Sequence, residues 1–135
     1  MATYTKFQPF VEALAEKVHN LGSDTLKIAL TNTVPTSGMA TLSQITEISY
    51  TNLSTRTLTT SSSAQTSGTY KLVIADLTLT ASGTVPTFRY VVIYNDTATN
   101  DELIAWFDYG SAVDMLANDT LLLDFDASNG LLQIV

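Results

Sequence analysis

The segment FRYVVIY at 88–94 constrains the fold more than any other stretch of the chain. Its β-branched and aromatic residues favour an extended backbone. Successive side chains of a strand point to opposite faces, and here both faces are apolar. Such a strand belongs in the middle of a sheet that is covered on two sides. LIAWFDY at 103–109 repeats the pattern, and the polar NDTATND between them supplies a turn. Covering layers come from helices over a parallel sheet or from a second antiparallel layer. The chain has no alternating series of helices, so the second arrangement is expected.

The remaining segments fill in that arrangement. Residues 24–31 alternate Leu26, Ile28 and Leu30 with Thr25, Lys27 and Ala29, the pattern of a strand. Residues 32–43 read as a loop and 44–50 as a short strand through Ile45 and Ile48. Residues 55–62, TRTLTTSS, read as an edge strand, followed by a turn over 63–69. YKLVIADLTLT at 70–80 reads as one strand with Val73, Ala75, Leu77 and Leu79 on one face. Leu121, Leu123 and Phe125 form the inward face of a later strand. Asn129 and Gly130 mark a turn before a final short strand, LLQIV.

One helix is expected, over residues 5–21. Phe7, Phe10, Val11, Leu14, Val18 and Leu21 recur at spacings of three and four. Thr5 with Gln8 resembles a capping box, Pro9 suits the first turn, and Gly22 suits a C-cap. Lys17 and His19 fall in the last turns, where positive charge is favourable. The expected fold is therefore mainly β: an antiparallel β-sandwich or partly closed barrel of six to eight strands with one N-terminal α-helix. Its 135 residues suit one domain, with the helix at about 5–21 and the β-rich region at about 24–135.

Composition narrows the function classes. Thirteen acidic against six basic residues give a net charge of −7, a poor match for nucleic acid. No run approaches 18 apolar residues, so no membrane-spanning helix is expected. The opening MATYTKFQPF lacks a basic start followed by an apolar run and does not read as a signal peptide. Charged residues make up only 14 % of the chain, and Thr, at 22 positions, supplies polarity instead. Thr favours strands while presenting a hydroxyl to water.

Little chemistry is encoded. There is no Cys, which excludes disulfides and thiolate ligands, and His19 is the only histidine. A zinc site would need carboxylates for most of its ligands. Asp96, Asp101 and Glu102 bracket a turn, while Asp124 and Asp126 share a strand face near Asp119. Paired carboxylates can hold calcium or act on a glycosidic bond. Solvated turns and a water-facing strand explain these acids without either. No phosphate loop, nucleophile elbow or basic–aromatic motif is present. The expectation is a protein without catalytic residues, cofactor or bound metal, and not an enzyme.

The aromatic residues are the candidate functional groups. Phe88, Tyr90, Tyr94, Trp106 and Tyr109 lie on the two strongest strands. A sheet core explains them, and so does an interface, where a ring with a polar tip is favoured. These five are the candidate interface residues.

The segments FQPFVEALAEKVHNLGSDTLKIALTNTVPT, SSAQTSGTYKLVIADLTLTASG, FRYVVIYNDTA and LLLDFDASNGLLQIV resemble small structural proteins of tailed bacteriophages. The resemblance covers most of the chain in order. It implies a virion component assembled in the cytoplasm of a bacterial host. The expected role is a capsid decoration or cement protein on the outside of the shell. Its partners would be the major capsid protein and its own copies, as a homotrimer. A tail or baseplate component is one alternative, and a carbohydrate- or receptor-binding module is another.

Overall fold

A computed structural model describes residues 2–135. Among these residues the fold is mainly β, with nine strands and one N-terminal α-helix. The strands are β1 (Thr3–Lys6), β2 (Leu26–Thr31), β3 (Thr60–Thr66), β4 (Thr69–Ile74) and β5 (Leu77–Thr80). They continue with β6 (Val85–Asn95), β7 (Leu103–Met115), β8 (Thr120–Leu123) and β9 (Leu132–Ile134). The helix α1 (Gln8–Ala15) follows β1 directly. The strands form three antiparallel sheets of order β1-β7-β6-β2, β3-β4-β9 and β5-β8. None of the three closes into a barrel, which removes that expectation.

FRYVVIY lies within β6, between β7 and β2 in the four-stranded sheet. Every residue from Tyr90 to Asn95 is buried, as its two apolar faces require. β7 shows how the two sides are covered. Trp106 packs against Phe7, with ring centroids 4.6 Å apart. Its neighbour Phe107 points the other way and meets Phe125 at 6.1 Å. Buried side chains from all three sheets and α1 belong to one hydrophobic cluster.

The N-terminal segment corrects the expected helix of 5–21. Its first residues are a strand instead, with Thr5 opposite Trp106 on β7. Thr5 therefore caps nothing, and the N-cap is Phe7, which makes no side-chain capping bond. Pro9 does fall at the start of the helix. The helix stops at Ala15, seven residues before Gly22. The Lys17 amide donates to Leu14 O at 3.4 Å and that of Val18 to Ala13 O at 2.9 Å. With Lys17 at φ 70°, this is a Schellman ending with lysine where glycine is usual. The stripe is correspondingly short: Phe10 is buried, whereas Val11 and Val18 are exposed.

Two further expectations change for one reason, the demand that sheet edges find partners. Residues 44–50 are not a strand, yet they and residues 51–58 line the outer edge of β2. The Ile28 amide donates to Arg56 O at 3.0 Å, Ile48 to Leu30 O at 3.0 Å and Leu58 to Leu26 O at 2.9 Å. Side chains complete the edge. The Leu30 amide donates to Tyr50 Oη at 2.9 Å, and Arg56 Nη1 donates to Ile28 O at 2.6 Å. Strand β3 begins at Thr60, so most of the expected 63–69 turn is strand, and the turn itself sits at Ser67–Gly68.

The single strand expected at 70–80 is two strands in different sheets. Leu72 and Ile74 are buried on β4, but Leu79 is buried on β5, so the inward phase shifts by one residue. The shift falls at Ala75–Asp76. There the Ala75 amide donates to Thr59 O at 2.9 Å and Asp76 Oδ1 accepts the Phe125 amide at 2.9 Å.

Candidate functional site

The five candidate aromatic residues do not form one surface. Phe88, Tyr90, Tyr94 and Trp106 are buried by the chain itself and present almost no ring to a second molecule. Tyr109 is 44 % exposed. It stands on β7 just beyond its pairing with β1, and Gly110 follows at φ 97°.

Tyr109 borders an apolar groove of about 210 Å³ shared with Phe107, Leu122 and Phe125. A second hollow, about 660 Å³, continues past Phe107 and Phe125 to Tyr4 and Leu131. Tyr4 and Phe107 meet edge to face at 5.3 Å. The groove lies where Phe107 of β7 meets Phe125, which follows the end of β8 at Leu123 rather than lying on the strand. Leu122, on the outer face of β8, is 57 % exposed, and Tyr4 is 39 % exposed. Burial raises the Tyr4 hydroxyl above its ordinary titration range, so it stays a neutral hydrogen-bonding tip. Apolar rings with polar tips beside an exposed leucine are the chemistry of a contact surface.

The sequence pointed to Tyr109 but not to Tyr4 or Leu122. Tyr4 was hidden because β1 read as the lead-in to a helix. Leu122 was signalled only as a lone leucine among Thr120, Asp124 and Asp126 on the outward face of its strand.

Asp96, Glu102, Asp119 and Asp126 are engaged in turns and pairs, and Asp124 and Asp126 lie past the end of β8, so they do not share a strand face as expected. Asp126 accepts the amides of Ser128 and Asn129, both at 2.8 Å, and its carboxyl titrates below the usual range because of these bonds. Asp119 accepts the Leu116 amide at 2.8 Å. Asp96 pairs with Lys27 at 3.2 Å, and Glu102 accepts from Asn100. Asp108 is held by Arg89 through two bonds of 2.8 and 3.1 Å and by the Gly110 amide, which lower its titration range. No group of three His, Asp or Glu residues placed to hold a metal ion occurs among the described residues.

His19 lies beyond the helix, not in its last turn, and is 5 % exposed. Its Nδ1 lies 3.0 Å from Asn95 Nδ2. It lines an open cleft of about 890 Å³ between the α1–β2 connection, the β6–β7 turn and the β3-β4-β9 sheet.

No family model matches the chain, and comparison with curated proteins and with solved structures finds no match.

Proposed function

We propose that this chain is a non-enzymatic structural protein of a tailed-phage virion, and that it decorates the outside of the capsid shell. The observation that carries the assembly reading is the groove of Tyr4, Phe107, Tyr109 and Leu122. It is an apolar surface, left open by the chain, on a scaffold whose other large rings are buried or half-buried. The resemblance of four sequence segments to small phage structural proteins supplies the particle. The fold suits the role as a sandwich-like stack of sheets around one core, rigid enough to brace neighbours.

In this reading the groove packs against the major capsid protein or a second copy in a homotrimer. Each contact is modest, and symmetry multiplies it. Assembly takes place in the cytoplasm of the host bacterium.

The test is co-sedimentation of the purified protein with capsids that lack it, together with its mass in solution. Saturable binding, a trimeric mass and shells that withstand more heat are expected. Leu122→Asp with Tyr109→Ala should lower binding at least about tenfold, the equivalent of 1.4 kcal/mol, with an unchanged melting temperature. A monomer that ignores capsids would refute the proposal. Five- or six-fold rings without capsid binding would replace it with a tail or baseplate role.

A further inference from the structure

The connection from α1 to β2 is tied down by one buried polar network. Asn95, fully buried at the end of β6, uses Oδ1 to accept the amides of Thr97 and Ala98 at 3.0 and 3.2 Å. Its side-chain nitrogen is therefore the donor on the other side. It donates to Asp24 Oδ2 at 2.7 Å and to His19 Nδ1 at 3.0 Å. An Nδ1 that accepts leaves the single ring proton of a neutral histidine on Nε2. That Nε2 is buried without a partner. Phe10 covers the ring, with centroids 5.1 Å apart.

This seat fits only the neutral ring. A second proton would sit on Nδ1 and point at the Asn95 amide hydrogens, donor against donor. Asn95 cannot turn over to offer its oxygen without depriving two backbone amides of their acceptor. The new charge would also be buried, which is costly. The 890 Å³ cleft alongside offers a place for it. Asp24 and Glu102 line that cleft and attract an imidazolium, while Lys17 on the same lining repels it. Asp96, next to Asn95, is engaged by Lys27 at 3.2 Å.

We propose that His19 is a proton-operated latch. Neutral, it ties the connection of residues 16–25 to Asn95 alongside the Asp24 bond; protonated, it leaves its seat for the acidic cleft, and the connection is loosened, held to Asn95 by Asp24 alone. The connection is built to move as a piece. The amides of Ser23 and Asp24 donate to Asn20 O, at 3.1 and 2.8 Å, and the Asn20 amide donates to Asp24 Oδ2 at 2.8 Å. Lys17, at φ 70°, supplies a strained pivot at one end. The proposal stands apart from the virion reading and needs no partner.

The sign follows from burial. Desolvation lowers the proton affinity of His19 below its ordinary value of 6.5, against the pull of Glu102 and Asp24. The unfolded or released histidine binds the proton more tightly than the seated one. The latch therefore holds above pH 6.5 and weakens as pH falls through and below that value.

Hydrogen exchange of the full-length protein between pH 7 and pH 5, corrected for intrinsic rates, tests this. Protection of the Thr25 and Asp96 amides, which tie the connection to the β6–β7 turn, should fall by roughly tenfold per pH unit once His19 titrates, the slope of one linked proton. Amides of β6 and β7 should stay protected. His19→Asn places an uncharged acceptor near Nδ1 and should make the profile flat. Independently, nitrogen chemical shifts of wild-type His19 at pH 7.5 should show the proton on Nε2. A proton on Nδ1, or a wild-type profile as flat as that of His19→Asn, overturns the latch.

Discussion

Phe7 joins the N-terminal segment to the core, so its truncation gives the sharpest test of the packing. The side chain is 0 % exposed, and its ring lies 4.6 Å from Trp106 at an angle of 47°. Phe7→Ala removes a whole ring from a site enclosed by β7 and α1. Such changes cost about 3–5 kcal/mol, including the aromatic pair. A domain of this size has about 5–15 kcal/mol in total, so the loss is a large share of it. Urea unfolding followed by far-ultraviolet circular dichroism measures the change. Trp106, the only tryptophan, reports the local environment by fluorescence. The midpoint should fall while the slope with denaturant stays constant. Val11→Ala is the control, because Val11 is 52 % exposed on the same helix. It should change stability by no more than about 0.5 kcal/mol. Equal losses at the two positions, or a loss below about 1 kcal/mol at Phe7, would refute the docking of this segment through Phe7.

Tyr50→Phe removes the acceptor of the Leu30 amide on the outer edge of β2 and should cost about 1–3 kcal/mol. Chemical denaturation checks the cost, and exchange of the Leu30 amide should accelerate. Lys17→Gly relieves a left-handed backbone at φ 70° and should raise stability by about 1 kcal/mol. A lower melting temperature would show that the helix does not end in this motif.

The strands with two apolar faces were legible because their demand is local. Every position of FRYVVIY except Arg89 asks for burial, and only a central strand provides it. The strand at 26–31, the inward set of Leu121, Leu123 and Phe125, and the turn at Gly130 were legible for similar reasons. Gly130 takes φ +79° with only 2.5 Å between a would-be Cβ and Leu72 O, so its conformation excludes other residues.

The helix end was not legible, because its left-handed residue is a lysine and the nearest glycine comes five residues later. The 70–80 break was hidden by continuous alternation; only pairing with β3 and β8 reveals the change of phase. Of the five aromatic residues named, only Tyr109 is exposed. Tyr109 escapes the core because β1 ends its pairing with β7 at Asp108, a fact of register rather than composition.

By itself the sequence determined a β-rich chain with one N-terminal helix, a central pair of strands and no cysteine chemistry. These follow from periodicity and composition, which are local. Tertiary structure decided which rings are core and which are surface. It also decided how the edge of β2 is satisfied and where His19 lies. Those outcomes depend on partners distant in the chain: Trp106 for Phe7, Arg56 for Ile28 and Asn95 for His19. A hydrogen bond or a ring contact between such residues is fixed only when the strands register. No window of sequence contains both members of the pair.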